Sequence, residues 1–295
     1  MKKINTVDIA SKISMKTVFF LSLALLIISS VAYWKYVVNN PDRVFEAMLK
    51  NSLQTKSLTK TIGQEEQGDS NNQTIVLKFS PSVGVASKYD LQKGQGEQYV
   101  GTQTNVIGTK TADYIQYSKI ESSQVSEAKK KDIVGVWAKV GDEKSGQKPS
   151  VFNDALFGVI LFGDLGDNTA SSIVSQLTSS DVYGIDKYST TFSGGRLVGN
   201  FSIKLKPKNL VDSIKYYAQQ TGYASAEGLG AEGVSNEPIS LDITIDLVSR
   251  QVKEISFAGG QRIEKYGSFG QYNGITVPNN PISFSELSTR LQSTR

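Results

Sequence analysis

From Ile239 to Leu247 the chain alternates without interruption. Ile239, Leu241, Ile243, Ile245 and Leu247 are large and apolar, while Ser240, Asp242, Thr244 and Asp246 are polar. A period of two marks a strand with one buried face. After the polar turn Val248 to Gln251, Ile255 and Phe257 fall on one side and Glu254 and Ser256 on the other. This predicts an antiparallel hairpin with one dry face and one wet face. Tyr266 to Tyr272 and Ile275 to Pro278 extend the run, and Ser283 to Leu291 is amphipathic at helical spacing.

The same texture recurs upstream. Ile75, Leu77 and Phe79 alternate with polar or opposite-facing neighbours, and Val85 to Leu91, Tyr99 to Ile107 and Asp113 to Tyr117 follow as strands of a meander. Val134, Val136, Ala138 and Val140 continue it, with Trp137 on the other face. Val182 to Phe192 and Leu197 to Leu205 predict a second hairpin, turned at Gly194-Gly195. The polar stretch Glu121 to Asp132 predicts a solvated loop, its run Lys129 to Lys131 falling short of the roughly 4–8 basic residues of a polybasic cluster. Tyr223 to Pro238, small and Gly-rich, also predicts a loop.

Helical spacing appears in four further places. Val44, Phe45, Met48 and Leu49 share a face after Pro41-Asp42, which suits a first turn. Asn209 is placed to cap a helix with Leu210, Ile214 and Tyr217 in one stripe, ending at Gly222. Ser171 to Leu177 makes a short helix. Phe152, Leu156 and Ile160 recur every fourth residue with Val151, Ala155, Val159, Leu161 and Phe162 around them, so the spacing predicts a helix over 151–162 that needs cover on several sides.

Thr17 to Trp34 is different in kind, with 18 residues and no charge. That reaches the length of about 18 residues expected of a membrane-crossing helix, and Tyr33, Trp34 and Tyr36 sit where interfacial aromatics belong. Lys2, Lys3, Lys12 and Lys16 precede it, a bias that places the N-terminus in the cytoplasm. The expected organisation is a cytoplasmic tail over 1–16, a transmembrane signal-anchor over 17–38 and an extracytoplasmic domain over 39–295. Small residues at Ser30-Val31-Ala32 leave a second possibility, secretion after cleavage near Ala32.

Composition narrows the chemistry. With 39% hydrophobic and 20% charged residues the chain can build a sizeable core. It has no cysteine and no histidine, which removes Ser/His/Asp and Cys/His nucleophiles, the common zinc sites, disulfides and a lipid-modified cysteine. The net charge of +4 sits mostly in the first 34 residues, leaving the remainder at about +1, a poor footprint for nucleic acid.

Polar motifs add little. Gly228-Leu229-Gly230-Ala231-Glu232-Gly233 spells the dinucleotide fingerprint, but it follows no strand and opens no helix. Asp242 with Asp246, Asp164 with Asp167, and Glu65 with Glu66 are the available carboxylate pairs. The first belongs to the wet side of a strand, where charge is ordinary. Asp164, Asp167 and Asn168 lack the 12-residue ligand spacing of a calcium loop. No catalytic residue, metal or cofactor is expected, and the chain is not expected to be an enzyme.

The order of elements resembles the LolA-like fold of bacterial lipoprotein carriers and LppX/LprG-type lipid-binding lipoproteins. The resemblance is carried by the early helix Asp42 to Leu53, the long meander, the mid-chain helical insertion and the ending. That ending is the hairpin Ile239 to Ala258, the aromatic-rich Tyr266-Gly267-Ser268-Phe269-Gly270-Gln271-Tyr272, then Ile275-Thr276-Val277-Pro278 and a last helix. It implies an α+β domain, a curved antiparallel sheet forming a half-open barrel lidded by helices, here behind a single N-terminal transmembrane helix. It further implies an apolar cavity for acyl chains, with the membrane anchor standing in for the missing lipidated cysteine. The expected function is a membrane-anchored, extracytoplasmic, non-catalytic binder of a lipid or other acyl-chain ligand. Expected lining residues are Phe152, Leu156 and Ile160 from the lid and Ile243, Ile245 and Phe257 from the sheet. The alternative is a cell-surface interaction or scaffold module on the same fold, with a filled core.

Overall fold

The computed structural model describes residues 15–34, 40–66, 69–142, 148–226, 229–257, 260–271 and 274–292, with backbone alone for 15–17, 32–33, 65–66 and 97. The expected tail over 1–14, residues 35–38 of the expected anchor, and Tyr272-Asn273 of the expected closing strand lie outside the described residues. The chain divides into two compact units, Met1–Phe45 and Glu46–Arg295. In the first, helix α1 spans Met15–Tyr33, and its side chains from 18 to 31 are all exposed, Leu25 at 69% and Ile28 at 68%. Among the described residues no helix is long and apolar enough to cross a membrane. Helix α2 (Pro41–Leu53) begins at Asn40, whose side-chain oxygen accepts from the Arg43 N–H at 3.1 Å.

In the second unit, twelve strands form one open sheet among the described residues. In chain order they are β1 (Ser57–Glu66), β2 (Asp69–Lys78), β3 (Gly84–Lys93), β4 (Val100–Gly108), β5 (Ala112–Ser122), β6 (Trp137–Asp142), β7 (Tyr183–Ser193), β8 (Arg196–Leu205), β9 (Ile239–Asp246), β10 (Gln251–Phe257), β11 (Arg262–Gly267) and the two-residue β12 (Ile282–Ser283). The order across the sheet is β12-β6-β5-β4-β3-β2-β1-β11-β10-β9-β8-β7. Every pair is antiparallel except β12 with β6. Two meanders, β1 to β6 and β7 to β11, therefore meet where β1 pairs with β11.

Register fixes which side chains share a face. Leu58 and Lys60 of β1 lie across from Leu77 and Ile75, and Lys60 from Tyr266. Farther along, Ile255, Ile243 and Phe201 form one cross-strand row. This is the dry face, and over β8 to β11 it is solidly packed. Phe201, Ile203, Leu241, Ile243, Ile245, Val252 and Ile255 are all buried. Their burial is the main driving force of this half, about 1.5–3 kcal/mol for each large side chain.

Cover comes from residues 46–53 of α2, from α5 (Asp167–Ser179) and α6 (Pro207–Thr221), and from the segment 157–165. That segment is where the expected helix over 151–162 departs from the structure. Helix α4 stops after about one and a half turns, at Val151–Leu156, and the chain then bends over 158–160 and runs on without regular structure. The reason is that 157–165 finds partners elsewhere. The Val159 and Phe162 carbonyls accept the hydroxyls of Tyr183 and Tyr217, at 2.5 and 2.6 Å, and the N–H groups of Gly163 and Leu165 bond to the Ser52 and Leu53 carbonyls. With its backbone satisfied from both sides, the greasy segment lies as an irregular insert, bridged at Asp164 to Gln54, against Tyr266, whose ring is 5.4 Å from that of Phe162.

Other expectations are also corrected. The solvated loop over 121–132 is partly ordered. β5 runs on to Ser122, and helix α3 (Glu127–Ile133) buries Ile133 against Ala138 and Leu287 of α7 (Phe284–Gln292). Helix α6 starts at Pro207, and Asn209 donates to the Ser180 carbonyl at 2.7 Å instead of capping. The helix ends at Gly222, whose φ of 59° is the left-handed turn foreseen there. The closing strand stops at Gly267, because Ser268 and Gly270 take positive φ and the Gly270 N–H bonds to the Ser57 carbonyl at 2.8 Å. Ile275 then packs on the other face of the sheet beside Ile107, Tyr114 and Trp137.

Candidate functional site

The dry face changes character beyond β1. In the rows Ser87-Val106-Ile115, Tyr89-Thr104-Tyr117 and Leu91-Thr102-Ile120, the large side chains are only half-buried. Of these, Tyr89, Leu91, Val106 and Ile115 form the floor of an open groove of about 380 Å3, bordered also by Val140 and by Val151 of α4. That volume falls within the roughly 300–1,000 Å3 of small-molecule sites, and most of the lining is apolar or aromatic. Helices α3 and α7 close one end through Ile133 and Leu287, which pack on Ile115, Tyr117 and Ile120.

Helix α4 closes the other end, and two residues place it there. Gly108 lets it come down on the sheet, since a Cβ at that position would sit 2.8 Å from the Phe152 nitrogen and 2.9 Å from the Val151 Cβ. Asp113, directly across from Gly108, accepts the Ser150 and Val151 N–H groups on Oδ2 at 2.7 and 3.1 Å. Burial pushes the Asp113 carboxyl above its ordinary range, the two N–H groups pull it back, and nearby Asp154 pushes the same way as burial. Beyond α4 lies a broader cleft of about 900 Å3 between Phe152, Phe157, Tyr223 and Leu229, with Lys110 and Asp154 among its polar walls. The Lys110 ammonium there donates to the Gly222 carbonyl at 3.2 Å and stands 6.0 Å over the Tyr223 ring.

The expected lining residues separate. Phe152 borders the broad cleft. Leu156 and Ile160 are fully buried in the packing around α4 and 157–165. Ile243 and Ile245 belong to the solid half; Ile243 also borders, through its strand, a polar groove of about 520 Å3 between Lys187, Asn200 and Asp242. Phe257 is half-buried, with the Arg262 guanidinium 5.3 Å from its ring centre. The groove residues Tyr89, Leu91, Thr104, Val106 and Ile115 were not anticipated. Their strands carry an apolar-polar mixture, and only the pairing register shows that the apolar members line up.

Where the two halves of the sheet meet, charge is buried. Glu264, 3% exposed, accepts from Arg262 at 2.6 and 3.0 Å and from the Tyr266 hydroxyl, with the buried Lys60 ammonium 3.9 Å away. Burial alone would raise the Glu264 carboxyl. Lys60, Tyr266 and Arg262 outweigh it and hold it below the ordinary value, while burial lowers Lys60. Asp246, expected on the wet side with Asp242, is also buried, against the Val248 and Ser249 N–H groups and Arg196. Asp167 pairs with Lys50 at 2.7 Å. Among the described residues no three His, Cys, Asp or Glu side chains are placed to hold a metal.

No family model matches the chain. No characterised relative matches it by sequence either. Among solved structures, the crystal structure of LprF from Mycobacterium bovis is similar over 81% of this chain and 97% of its own, with a TM-score of 0.43 and 11% identity. The likeness is at the level of the fold and says nothing of what this chain binds.

Proposed function

We propose that the chain is an extracytoplasmic, membrane-anchored, non-catalytic binding protein for an acyl-chain ligand. The observation that carries this is the open apolar groove on the dry face of β2 to β6, walled by Tyr89, Leu91, Val106 and Ile115 and closed by α4. An alkyl chain laid there removes apolar surface on both partners from water, at about 25 cal/mol per Å2. The scaffold alternative, with a filled core, describes β8 to β11 but not this groove. Mass spectrometry of the full chain purified from its own host should find an alkyl amphiphile. Val106→Trp, which fills the groove from a half-buried position, should lower the bound lipid about tenfold with an unchanged thermal midpoint. Lipid-free protein whose midpoint ignores added lipid would overturn the proposal.

In this proposal the anchor is the segment 17–38, and α1 is the part of it that the structure describes. Its exposed apolar surface runs all round, and its serine hydroxyls bond within the helix, Ser22 to the Phe19 carbonyl at 2.9 Å and Ser29 and Ser30 to the Leu25 and Leu26 carbonyls at 2.7 Å. Those hydroxyls need no water, as a lipid surrounding demands. Alkaline washing of host membranes should leave the chain in the pellet, and release into the wash would remove the anchor.

A further inference from the structure

One polar group on the groove wall stands apart from the rest. Asp113 is 4% exposed and borders the groove beside Val151. Its Oδ2 is fully engaged by the two N–H groups that open α4, yet Oδ1 is buried with no hydrogen-bond partner. Asp154 adds negative charge nearby. A buried carboxylate oxygen left unpaired is unfavourable for the fold, and such orphans are rare in native proteins. Holding α4 in place accounts for Oδ2 only.

We propose that Oδ1 of Asp113 is the headgroup contact of this groove and that the guest is an alkyl amphiphile whose head carries a hydrogen-bond donor, a hydroxyl or an ammonium. This rests on the acyl-chain function above and specifies which acyl-chain compounds qualify. The chemistry is direct. Oδ1 is closed over in this structure, so a guest's donor reaches its lone pairs by displacing the side chains that cap it, and one charge-assisted hydrogen bond there weighs heavily. A hydroxyl or ammonium head completes it while the alkyl tail runs along Val106, Tyr89 and Leu91. An ester head brings lone pairs against lone pairs, and a carboxylate head meets the charges of Asp113 and Asp154 as well.

The test is a competition series on the full-length chain held in amphipol. Bound phenylnaphthylamine is displaced by decanol, decylamine, decanoate and methyl nonanoate. Decanol and decylamine are expected to bind about tenfold tighter than the ester, with decanoate weakest. The order of the first two tells a hydroxyl guest from an ammonium guest. Asp113→Asn keeps an oxygen for the Ser150 and Val151 N–H groups but turns the free acceptor into an amide donor, so the preference should collapse or reverse towards the ester. Equal binding of all four compounds by the unaltered chain would overturn the headgroup contact and leave the acyl-chain function standing. Displacement by none would remove both. The unaltered chain alone decides between these outcomes, whether or not the asparagine variant folds well.

Discussion

The two halves of the one sheet make opposite use of the same alternating pattern. Over β8 to β11 the dry face is Phe, Ile, Leu and Val, and it is covered to exclusion by helices and by the inserted segment 157–165. Over β2 to β5 the dry face mixes Tyr, Leu, Val and Ile with Thr and Asn, and beyond the foot of α4 it stays half-buried above a groove. The greasiest strand surface is therefore where the protein packs against itself. A moderately apolar surface with hydroxyls among the hydrocarbons is the kind that can face water without a partner and still receive one.

The contrast can be tested from both sides, beginning with the largest effect. Phe201→Ala, in the solid half, should cost about 3–5 kcal/mol in denaturant unfolding. Leu91→Ala, on the groove floor, should cost about 1 kcal/mol or less, since its side chain is only half-buried. Comparable losses at both positions would erase the distinction. At the junction, Glu264→Leu leaves the Lys60 ammonium buried with no acid beside it and should cost about 3–5 kcal/mol, read by the same method. Gly108→Ala should cost about 1–3 kcal/mol and raise amide exchange in 150–156, because the new methyl meets the backbone of α4. Leu91→Phe should change stability by about 0.5 kcal/mol or less while weakening ligand binding, whereas Ile243→Phe should cost about 1–3 kcal/mol.

Acid should separate the halves as well. Glu264 and Asp246 have folded values below the ordinary 4.5 and 3.8, so each adds stability that is fully present above those values and is lost as pH falls through the folded ones. Asp113 runs the other way. Its raised value means that ionisation works against the fold, and protonation relieves it. Glu264→Gln should therefore flatten the loss of stability below about pH 4.5, and Asp113→Asn should leave that loss in place. Thermal midpoints across pH, read by circular dichroism, check both.

Much of the architecture was legible in the alternation. The hairpins β7-β8 and β9-β10, the strands β3 to β5 and the last helix fall close to where the pattern places them. Strand β1 was not legible, because Thr59, Thr61, Gly63 and Gln64 dilute its period. The segment 157–165 was misread for a physical reason: hydrophobic spacing says that residues are buried, not what satisfies their backbone, and here three tyrosines and the end of α2 do so. The groove was missed for a related reason. Expectation followed hydrophobicity to Ile243 and Ile245, while the open surface is assembled from Tyr89, Thr104, Val106 and Ile115, no one of which is conspicuous in its own strand.

The segment 157–165 also bears on traffic through the domain. It is, in effect, a resident passenger, fastened by three tyrosine hydroxyls and by two of its own amide hydrogens, and it cannot disembark without dismantling the end of α2 and α6 around it. In the proposed function a guest would take the other berth. Its loading and unloading would then proceed while the ballast of the molecule stays where it is.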